Sequence, residues 1–379
     1  MRYFEPEIKK DMNSLIPWQI REGIRSLAEF PKRRQALMSH RMIRRKGDSN
    51  ASVGFGGVLD DGRPVHGGAV KLLPLRDAFS GDEQSFNILY AVSSSQPQCA
   101  ADLFRRCREL GIRIVWNQNG VGYPAWAGRE GERFNAPMRH LRSMVDYVVY
   151  QSRFCQVSAE RYLGLSEVPS QILYNPVDLA RFTPVAGMKG EGPLRVLAAG
   201  THGTRDRVFS VLEMLFLLRH GGTESVLTIA GKFQWRNGED DFRREIKRLD
   251  LGGFIRRVEC FSQDDAAALY QGHDLLVHPK YMDPCPTVVI EAMACGLPVV
   301  GSDSGGMAEL VPEDCGKLVS SPVDWDRRHT PTGEELAAAV TAVKPRLSSM
   351  SLAARKHAET RFSVEQWVEE HRRIFQTLH

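Results

Sequence analysis

The chain has 379 residues, of which 42% are hydrophobic and 25% are charged, and it carries a net charge of +4. This length exceeds what one hydrophobic core comfortably supports, so we expect two domains of roughly 150 residues each. The sequence has no apolar run of about 18 residues and no apolar core near its start, and we therefore expect neither a transmembrane span nor a secretory signal.

The first 50 residues are predicted to form a basic extension. Residues 1–46 contain twelve Lys or Arg against five Asp or Glu, and apolar residues such as Trp18, Ile24 and Phe30 are interleaved with them. One interpretation is an amphipathic segment that rests on an anionic membrane surface. The alternative is a solvated extension packed on the first domain. No nucleic-acid-binding module is recognisable, so we expect no nucleic-acid partner.

The next part of the chain, residues 51–184, alternates short apolar runs with an amphipathic stretch over 100–110. Such alternation is typical of a parallel sheet covered by helices. The predicted strands are 52–55, 87–92, 112–116, 147–150 and 171–174. Residues 185–193 are rich in Gly and charge, and they are interpreted as the start of a linker to a second domain.

Residues 185–361 repeat the same alternation. The predicted strands are 194–200, 225–230, 257–261, 274–278 and 298–302, and the predicted helices are 208–219, 264–271 and 333–347. A final helix over 364–378 is amphipathic around Trp367, Ile374 and Phe375. The fold class expected from this pattern is α/β, with two parallel sheets.

The most informative stretch runs from Asp283 to Gly306, where two carboxylates, Asp283 and Glu291, lie eight residues apart around a predicted helix start. Pro286 suits the first turn of this helix, Gly296 permits a left-handed stop, and Pro298 prevents continuation. The N–H groups and the positive dipole end of the helix then face the space between the two acids. This arrangement favours an anionic ligand that also carries hydroxyl groups.

The same stretch contains Glu291-Ala-Met-Ala-Cys-Gly-Leu-Pro-Val-Val300 and Gly305-Gly306-Met-Ala-Glu309. It resembles the donor-site signature of the retaining GT-B glycosyltransferases of the large family 4 (group 1) type, and the resemblance covers roughly residues 52–379. The chain departs from that signature at its first acid, which is Asp283 instead of Glu, and at Pro284-Cys285-Pro286, where Gly-Phe-Gly is usual. The resemblance implies two Rossmann-like domains facing a central cleft, with the acceptor on the first domain and the donor on the second. It also implies that the terminal segment, 362–379, crosses back to the first domain.

The resemblance further implies roles for residues in the second domain. The family grips the donor diphosphate with a basic pair, and here Arg205 and Arg207 are the candidates, with Lys232 a weaker one; each could instead be an ordinary exposed cation. The acid Asp283 is expected to accept hydrogen bonds from the donor sugar, and Glu291 from the ribose. The alternative is that Asp283 only caps the helix and that Glu291 is an exposed glutamate. The remaining donor-binding candidates are Gln263 near the base, and Pro286, Thr287 and Val288 near the distal phosphate.

In the first domain, Gly67 and Gly68 could let the backbone approach a phosphate or an acceptor closely. Family members often have a His at the end of a middle strand, where this chain has Gln118 and Asn119. We expect Asn119, or else Gln118, to take that place as a neutral hydrogen-bonding group. His140 is expected to be exposed, and no general base is assigned.

The resulting prediction is a retaining glycosyltransferase that moves a sugar from a nucleoside-diphosphate sugar to a glycan or lipid-linked acceptor, as in bacterial surface polysaccharide or lipopolysaccharide biosynthesis. Seven cysteines without metal-ligand spacing favour reduced thiols in the cytosol. We expect no metal and no cofactor beyond the donor substrate. Two alternatives stay open: a GT-B nucleotide-sugar 2-epimerase, and a non-catalytic partner subunit that binds a nucleotide sugar.

Overall fold

A computed structural model describes residues 18–47, 50–59, 70–79, 81–185 and 192–378, with only the backbone described for 18–29. The helices are α1 (Trp18–Met42), α2 (Leu72–Ala78), α3 (Ala100–Glu109), α4 (Pro124–Ala127), α5 (Gly131–Arg142), α6 (Arg153–Leu163), α7 (Arg205–His220), α8 (Gly238–Arg248), α9 (Gln263–Gln271), α10 (Thr287–Ala294), α11 (Met307–Leu310), α12 (Gly333–Val343), α13 (Leu347–Arg361) and α14 (Val364–Gln376). The strands are β1 (Arg44–Arg45), β2 (Val53–Gly54), β3 (Ser85–Phe86), β4 (Ile88–Val92), β5 (Arg113–Gln118), β6 (Tyr147–Tyr150), β7 (Ser170–Ile172), β8 (Leu194–Ala199), β9 (Ser225–Ala230), β10 (Ile255–Val258), β11 (Leu275–His278), β12 (Val299–Ser302) and β13 (Gly316–Val319).

The first large sheet has the strand order β2-β4-β5-β6-β7, and all of its pairs are parallel. Its second strand, β4, is buried at every position because helices cover both of its faces. The second large sheet has the order β10-β9-β8-β11-β12-β13, again with parallel pairs. The predicted α/β class with two parallel sheets is therefore confirmed.

The order of the second sheet reverses direction between β8 and β11. Strands numbered from the start of this sheet follow 3-2-1-4-5-6, which is the dinucleotide-binding order. In such sheets, ligands bind outside the carboxyl ends of the strands where the order reverses, because the two adjoining loops diverge there. The loops after β8 and β11 are thus the expected walls of a site.

Most predicted elements lie where the pattern put them, but several differ. Strand β10 spans Ile255–Val258 and not 257–261. Strand β13 was not predicted, because its sequence Gly-Lys-Leu-Val is short and half polar. Helix α12 ends at Val343, and α13 follows it after a short 3-10 turn over 344–346 that contains Pro345. Gly296 has a φ of 74°, so the left-handed stop predicted after α10 is confirmed.

The chain crosses between the two sheets twice, and the two crossings lie side by side. The Val177 N–H donates to the Phe362 carbonyl at 2.8 Å, and the Val364 N–H donates to the Val177 carbonyl at 3.2 Å. Helix α14 then packs on the first sheet, where Trp367, Ile374 and Phe375 join the core around Tyr90. The last turns of the chain are therefore part of the core of the first sheet.

Replacing Phe375 with Ala is expected to lower the free energy of unfolding by about 3–5 kcal/mol, since it empties a fully buried ring site. The ring packs edge-on against Phe79 at a centroid distance of 4.9 Å, so an aromatic contact is lost as well. Urea unfolding of Phe375→Ala would be compared with that of Gln376→Ala, which changes an exposed residue of the same helix. Equal unfolding midpoints would contradict the packing of α14.

Candidate functional site

A cavity of about 660 Å³ lies between the two large sheets. Its walls on the second sheet are the residues that follow β8, Gly200 and Thr201, and those that follow β11, from His278 to Val288. Its walls on the first sheet include Lys71 and Asn119. The cavity thus occupies the point where the strand order reverses, and both halves of the molecule contribute to it.

The carboxylate of Asp283 is buried in this cavity and is held by two neighbours. Its Oδ2 accepts a hydrogen bond from His278 Nε2 at 2.9 Å and forms an ion pair with Lys280 Nζ at 3.0 Å. Burial alone would raise the pKa of Asp283, but Lys280 and the hydrogen bond from His278 outweigh it and hold that pKa well below its ordinary value. Asp283 is therefore expected to be ionised near neutral pH.

His278 is fixed as a neutral tautomer by its two partners. Arg207 Nη2 donates to His278 Nδ1 at 3.2 Å, which leaves the Nε2–H to donate to Asp283. Burial lowers the pKa of His278 to about 4, despite the hydrogen bond to Asp283. The imidazole therefore positions the carboxylate and carries no charge near neutral pH.

Three features of the backbone bring Asp283 into the cavity. Met282 has a φ of 50°, a left-handed conformation that is unusual for a residue with a side chain. A Cβ on Gly305 would approach the Asp283 carbonyl to 2.5 Å, and a Cβ on Gly306 would approach the Pro284 carbonyl to 2.1 Å. Only glycine allows this close approach, so the Gly-Gly pair of the signature is explained by backbone packing beneath the acid.

Glu291 lies one turn into α10, and its environment contrasts with that of Asp283. Its Oε2 accepts a hydrogen bond from the Tyr270 hydroxyl at 2.7 Å. Burial raises the pKa of Glu291 to about 7, although Tyr270 and the charge of Arg181 act in the opposite direction. The carboxyl lines the cavity and changes its ionisation near neutral pH.

The amino end of α10 also opens into the cavity. The helix begins at Thr287, one residue after Pro286, and Pro286 forms its cap with extended backbone. The Pro286 carbonyl accepts from the Val289 N–H at 3.1 Å. The N–H groups of Thr287 and Val288 precede the first intrahelical bond, and both residues line the cavity. A bound phosphate could accept from them and would also interact with the helix dipole.

Two predicted phosphate-binding residues lie elsewhere. The Arg205 guanidinium lies over the Phe209 ring at 4.4 Å, and Lys232 is exposed with its carbonyl paired to the His202 N–H. Neither is among the described residues that line the cavity. Arg205 is the first residue of α7, so its direction follows from that helix and not from its distance from β8 in sequence. Both assignments therefore stay predictions that this geometry does not support.

Arg207 does line the cavity, but its guanidinium is already engaged. Besides His278, it donates to the Thr201 carbonyl at 2.9 Å and to the Ala199 carbonyl at 3.0 Å. Burial lowers the pKa of Arg207 to about 10, so it stays charged at neutral pH. Arg207 thus tethers the loop after β8 to His278, and its positive charge lies at the cavity wall.

Three kinds of predicted residue remain: one that lines the cavity, two that lie outside the described residues, and one that is exposed. Gln263 opens α9 and lines the cavity, next to Phe261. Gly67 and Gly68 lie outside the described residues. His140 is exposed, as predicted.

On the first domain, Asn119 and not Gln118 lines the cavity. The Gln118 side chain accepts from Trp116 Nε1 at 2.7 Å within the core, while the Asn119 Oδ1 accepts from Gln151 Nε2. Asn119 Nδ2 donates to Ser94 Oγ at 2.8 Å. Gln118 is the last residue of β5 and its side chain points into the core, whereas Asn119 follows the strand, so of the two only Asn119 reaches the cavity.

Three cations of the cavity wall, Lys71, Arg181 and Lys280, were not predicted. Lys71 donates to the Asn117 and Asn175 side-chain oxygens at 3.1 and 3.2 Å, and burial lowers the pKa of Lys71 to about 8. Lys280 is 41% exposed and pairs with Asp283. Lys280 could have been found from the sequence, because it lies three residues before the predicted acid. Lys71 could not, because its two partners, Asn117 and Asn175, lie far from it in the sequence.

The sequence also contains Asp324-Trp325-Asp326, a spacing that other enzymes use to hold a divalent ion on a diphosphate. Here Asp324 pairs with His329 at 2.9 Å, and this hydrogen bond lowers the pKa of Asp324 to about 2. The Trp325 ring stacks on Phe154 of the first domain at 5.4 Å. The triplet thus forms an interdomain turn, and its residues are not among the described residues of the cavity wall.

Glu309, the last residue of the Gly-Gly-x-x-Glu pattern, contacts the other domain. Its two carboxylate oxygens accept from the N–H groups of Arg153 and Phe154, at 2.7 and 2.9 Å, and so satisfy the first amides of α6. The Tyr174 hydroxyl donates to the same carboxylate at 3.3 Å. An acid at a helix N-terminus is favoured by the helix dipole, so this contact holds the two domains together at the edge of the cavity.

Comparison with known proteins finds similarity to enzymes that transfer sugars. Residues 185–328 match the family model described as "Glycosyl transferases group 1". A glycogen synthase of Mycobacterium tuberculosis is 29% identical over 148 residues, which are 39% of this chain and 34% of that protein. A probable transglycosylase of Burkholderia thailandensis is 27% identical over 187 residues, which are 47% of this chain and 46% of that protein. The chain thus spans about a third to a half of the length of these relatives.

Solved structures resemble a larger part of the chain. Sucrose-phosphate synthase from Thermosynechococcus elongatus superposes with a TM-score of 0.61 at 18% identity, covering 81% of this chain and 76% of that one. Anabaena Alr3699/HepE, solved in complex with UDP-glucose, gives a TM-score of 0.60 at 16% identity, covering 82% of this chain and 90% of that one. The predicted GT-B fold is confirmed by this likeness.

The raised pKa of Glu291 leads to a pH-dependent prediction. If the ionised carboxylate accepts hydrogen bonds from a ligand's hydroxyls, affinity should rise about tenfold from pH 6 to pH 8, as the ionised fraction increases. Calorimetric titration with UDP-glucose, ADP-glucose and GDP-mannose would measure this, because their diphosphates do not titrate in that range. Glu291→Gln should bind with nearly the same affinity at both pH values. A wild-type affinity that falls with pH would contradict this role.

The raised pKa of Glu291 also predicts that the folded state becomes less stable as the pH rises. The pKa of Glu291 is higher in the folded state than in the unfolded state, so its contribution to stability is complete below the ordinary glutamate pKa and is lost as the pH rises through about 7. The Glu291→Gln variant should therefore lose less stability than the wild type between pH 5 and pH 8.

Proposed function

Because this chain has a group 1 glycosyltransferase domain over residues 185–328, the family predicted from the signature is confirmed, and we propose that the protein is a retaining, metal-independent glycosyltransferase. It transfers a sugar from a nucleoside-diphosphate sugar to a hydroxyl of a glycan or lipid-linked glycan. The observation that carries the proposal is the pair of buried acids, Asp283 and Glu291, on either side of the open amino end of α10. Biosynthesis of a bacterial surface polysaccharide or lipopolysaccharide is the process that we propose for it.

The donor is proposed to lie along the cavity with its nucleotide on the second domain. Ribose hydroxyls donate to Glu291, and the base lies beside Phe261 and Gln263. The distal phosphate accepts from the N–H groups of Thr287 and Val288 and interacts with Lys280. This order is supported by the position of Glu291 one turn beyond the amino end of α10 and by the preference of helix N-termini for anions.

The transferred sugar is proposed to contact Asp283. A carboxylate that is ionised at all working pH values can only accept hydrogen bonds, so it selects hydroxyl groups on the sugar. Transfer breaks the bond between the anomeric carbon and the phosphate oxygen and forms a bond between that carbon and the acceptor oxygen. The acceptor proton passes to the leaving phosphate oxygen on the same face, which retains the configuration. Such a route requires positioning and charge stabilisation from the protein, and no protein base.

Metal independence is supported by the cations of the cavity wall. Lys71, Arg181, Arg207 and Lys280 line the cavity. These groups can offset the charge that develops on the leaving diphosphate in a site that is partly shielded from water.

The test uses purified protein with the same three nucleotide sugars, each with and without a chelator. Hydrolysis or transfer should persist in the chelator and should fall at least about 100-fold in Asp283→Asn, because the charge that orients the sugar is removed. Glu334→Gln, which changes an exposed acid on α12, should stay within about twofold of the wild type.

Three outcomes would contradict the proposal. Loss of activity in the chelator that added Mg²⁺ restores would contradict metal independence. Conversion of the donor into a different nucleotide sugar without an acceptor would indicate an epimerase. Tight donor binding without hydrolysis or transfer to any acceptor would indicate a non-catalytic partner subunit.

We also propose that the protein works at the inner face of the cell membrane, held there by α1 and the residues after it. Phe30, Met38 and Met42 on α1 are exposed by 64%, 53% and 55%. The sequence around them, from Lys32 to Lys46, is strongly basic. Apolar side chains and cations on one helix suit an anionic lipid surface. None of the described helices is both long enough and apolar enough to cross a bilayer.

Sedimentation with vesicles tests this proposal. The wild type should bind vesicles containing about one-third phosphatidylglycerol, and binding should weaken in 0.5 M salt, because the basic residues act through screened charge. Met38→Ser should bind more weakly, while Leu352→Ser, which changes an exposed residue of α13, should bind as the wild type does. Equal binding to phosphatidylcholine alone, or no binding, would contradict the proposal.

A further inference from the structure

A second cavity, of about 510 Å³, adjoins the first. Asn119, Lys280 and Pro284 line both, so the two spaces meet at these residues. Lys280 is the residue that pairs with Asp283. A molecule in the second cavity would therefore place one end beside the acid that we assign to the transferred sugar.

One wall of the second cavity is aromatic. Trp126 of α4 and Phe134 of α5 are 55% and 43% exposed, and their ring centroids lie 5.4 Å apart at an interplanar angle of 51°. Large aromatic side chains are usually buried, so two exposed neighbours in a concave site indicate a binding surface.

A second part of the cavity wall is polar. Ser93, Ser94 and Gln96 follow β4, and Ser94 Oγ accepts from Asn119 Nδ2 at 2.8 Å. Gln96 Nε2 donates to the Ser93 carbonyl at 3.1 Å, which fixes the side chain across the turn. Hydroxyl and amide groups in this position can donate and accept, so they suit a ligand with several hydroxyl groups.

We propose that this second cavity binds the acceptor as a pyranose ring, with its C–H face on Trp126 and Phe134 and its hydroxyls on Ser93, Ser94 and Gln96. The proposal rests on the proposed function and names the acceptor class for it. A sugar ring has an apolar face and a rim of hydroxyls, and so it matches both walls. One of its hydroxyls lies at the junction near Asn119, where its oxygen can attack the anomeric carbon of the donor.

The polar wall argues against an alkyl chain as the occupant. The oxygens of Ser93 and Ser94 already accept from the N–H and the Nδ2 of Asn119, but a lipid tail would offer no acceptor to their hydroxyl hydrogens, which costs free energy. Any lipid portion of the acceptor therefore lies outside the cavity.

The experiment uses methyl α- and β-D-gluco-, galacto- and mannopyranosides as acceptors, 1-octanol as a lipid-like probe, and the donor that the wild type hydrolyses. Trp126→Ala and Phe134→Ala should each raise the KM for the accepted hexoside at least tenfold, with donor hydrolysis and nucleotide affinity unchanged. Trp126→Phe should recover part of the loss, because it restores an aromatic face. Leu352→Ala, an exposed apolar residue on α13, serves as the matched control.

An unchanged hexoside KM in both alanine variants would overturn the proposal. So would better transfer to 1-octanol than to every hexoside, or donor hydrolysis by the wild type without transfer to any hexoside. In each of these cases the donor would still be bound and hydrolysed, so the proposed function would stand. A wild type that neither binds nor hydrolyses any nucleotide sugar would instead overturn the proposed function, and this assignment with it.

Discussion

The buried charge of Asp283 is the constraint on which the geometry of the cavity depends. An ionised carboxylate is stable away from water only when cations and donors contact it directly. Lys280 and His278 meet this requirement, and Arg207 in turn holds His278 in the tautomer that donates to the acid. The side chain can reach these partners only because the backbone turns at Met282, whose left-handed conformation costs on the order of 1 kcal/mol. The glycines packed beneath the loop stabilise that turn.

The parts of the site that could be predicted from the sequence are those that depend on local patterns. Helix α10, its glycine stop and its two acids follow from a local pattern of caps and apolar spacing, and the structure has all of them. The second sheet could also be predicted, because buried parallel strands are continuous apolar runs. Short or polar strands such as β13 carry no such signal.

Side-chain direction and long-range partners could not be predicted in this way. Arg205 and Arg207 are two residues apart in the sequence, but the helix turns one onto Phe209 and the other to the cavity wall. Lys71 takes its place from Asn117 and Asn175, which reach it only after the first sheet has formed. A motif therefore predicts which acids face a ligand better than it predicts which cations neutralise that ligand.

The domain contacts give a role to a signature residue that touches no proposed ligand. Glu309 caps α6 in the other domain, and Ser152 Oγ donates to the Pro284 carbonyl at 2.7 Å on the same side of the cavity. The Pro284 carbonyl belongs to the loop that carries Asp283, and Glu309 lies on α11, directly after the glycines that pack beneath that loop. Movement of the first domain away from the second would break them and would withdraw support from the loop under the acid. The shape of the donor site and the closure of the domains are therefore coupled through this one segment.

The two acids of the signature, Asp283 and Glu291, differ in whether their ionisation depends on pH near neutrality. Asp283 is ionised because charged and hydrogen-bonding partners contact it, so it presents a constant acceptor. Glu291 has a neutral partner in Tyr270, and burial brings its pKa to about 7. A ligand hydroxyl that donates to Glu291 favours its ionised form and so displaces a proton, whereas one that donates to Asp283 displaces none. The ends of a donor that contact these acids should thus contribute differently: the sugar end gives a pH-independent part of the affinity, and the nucleotide end gives a part that depends on pH.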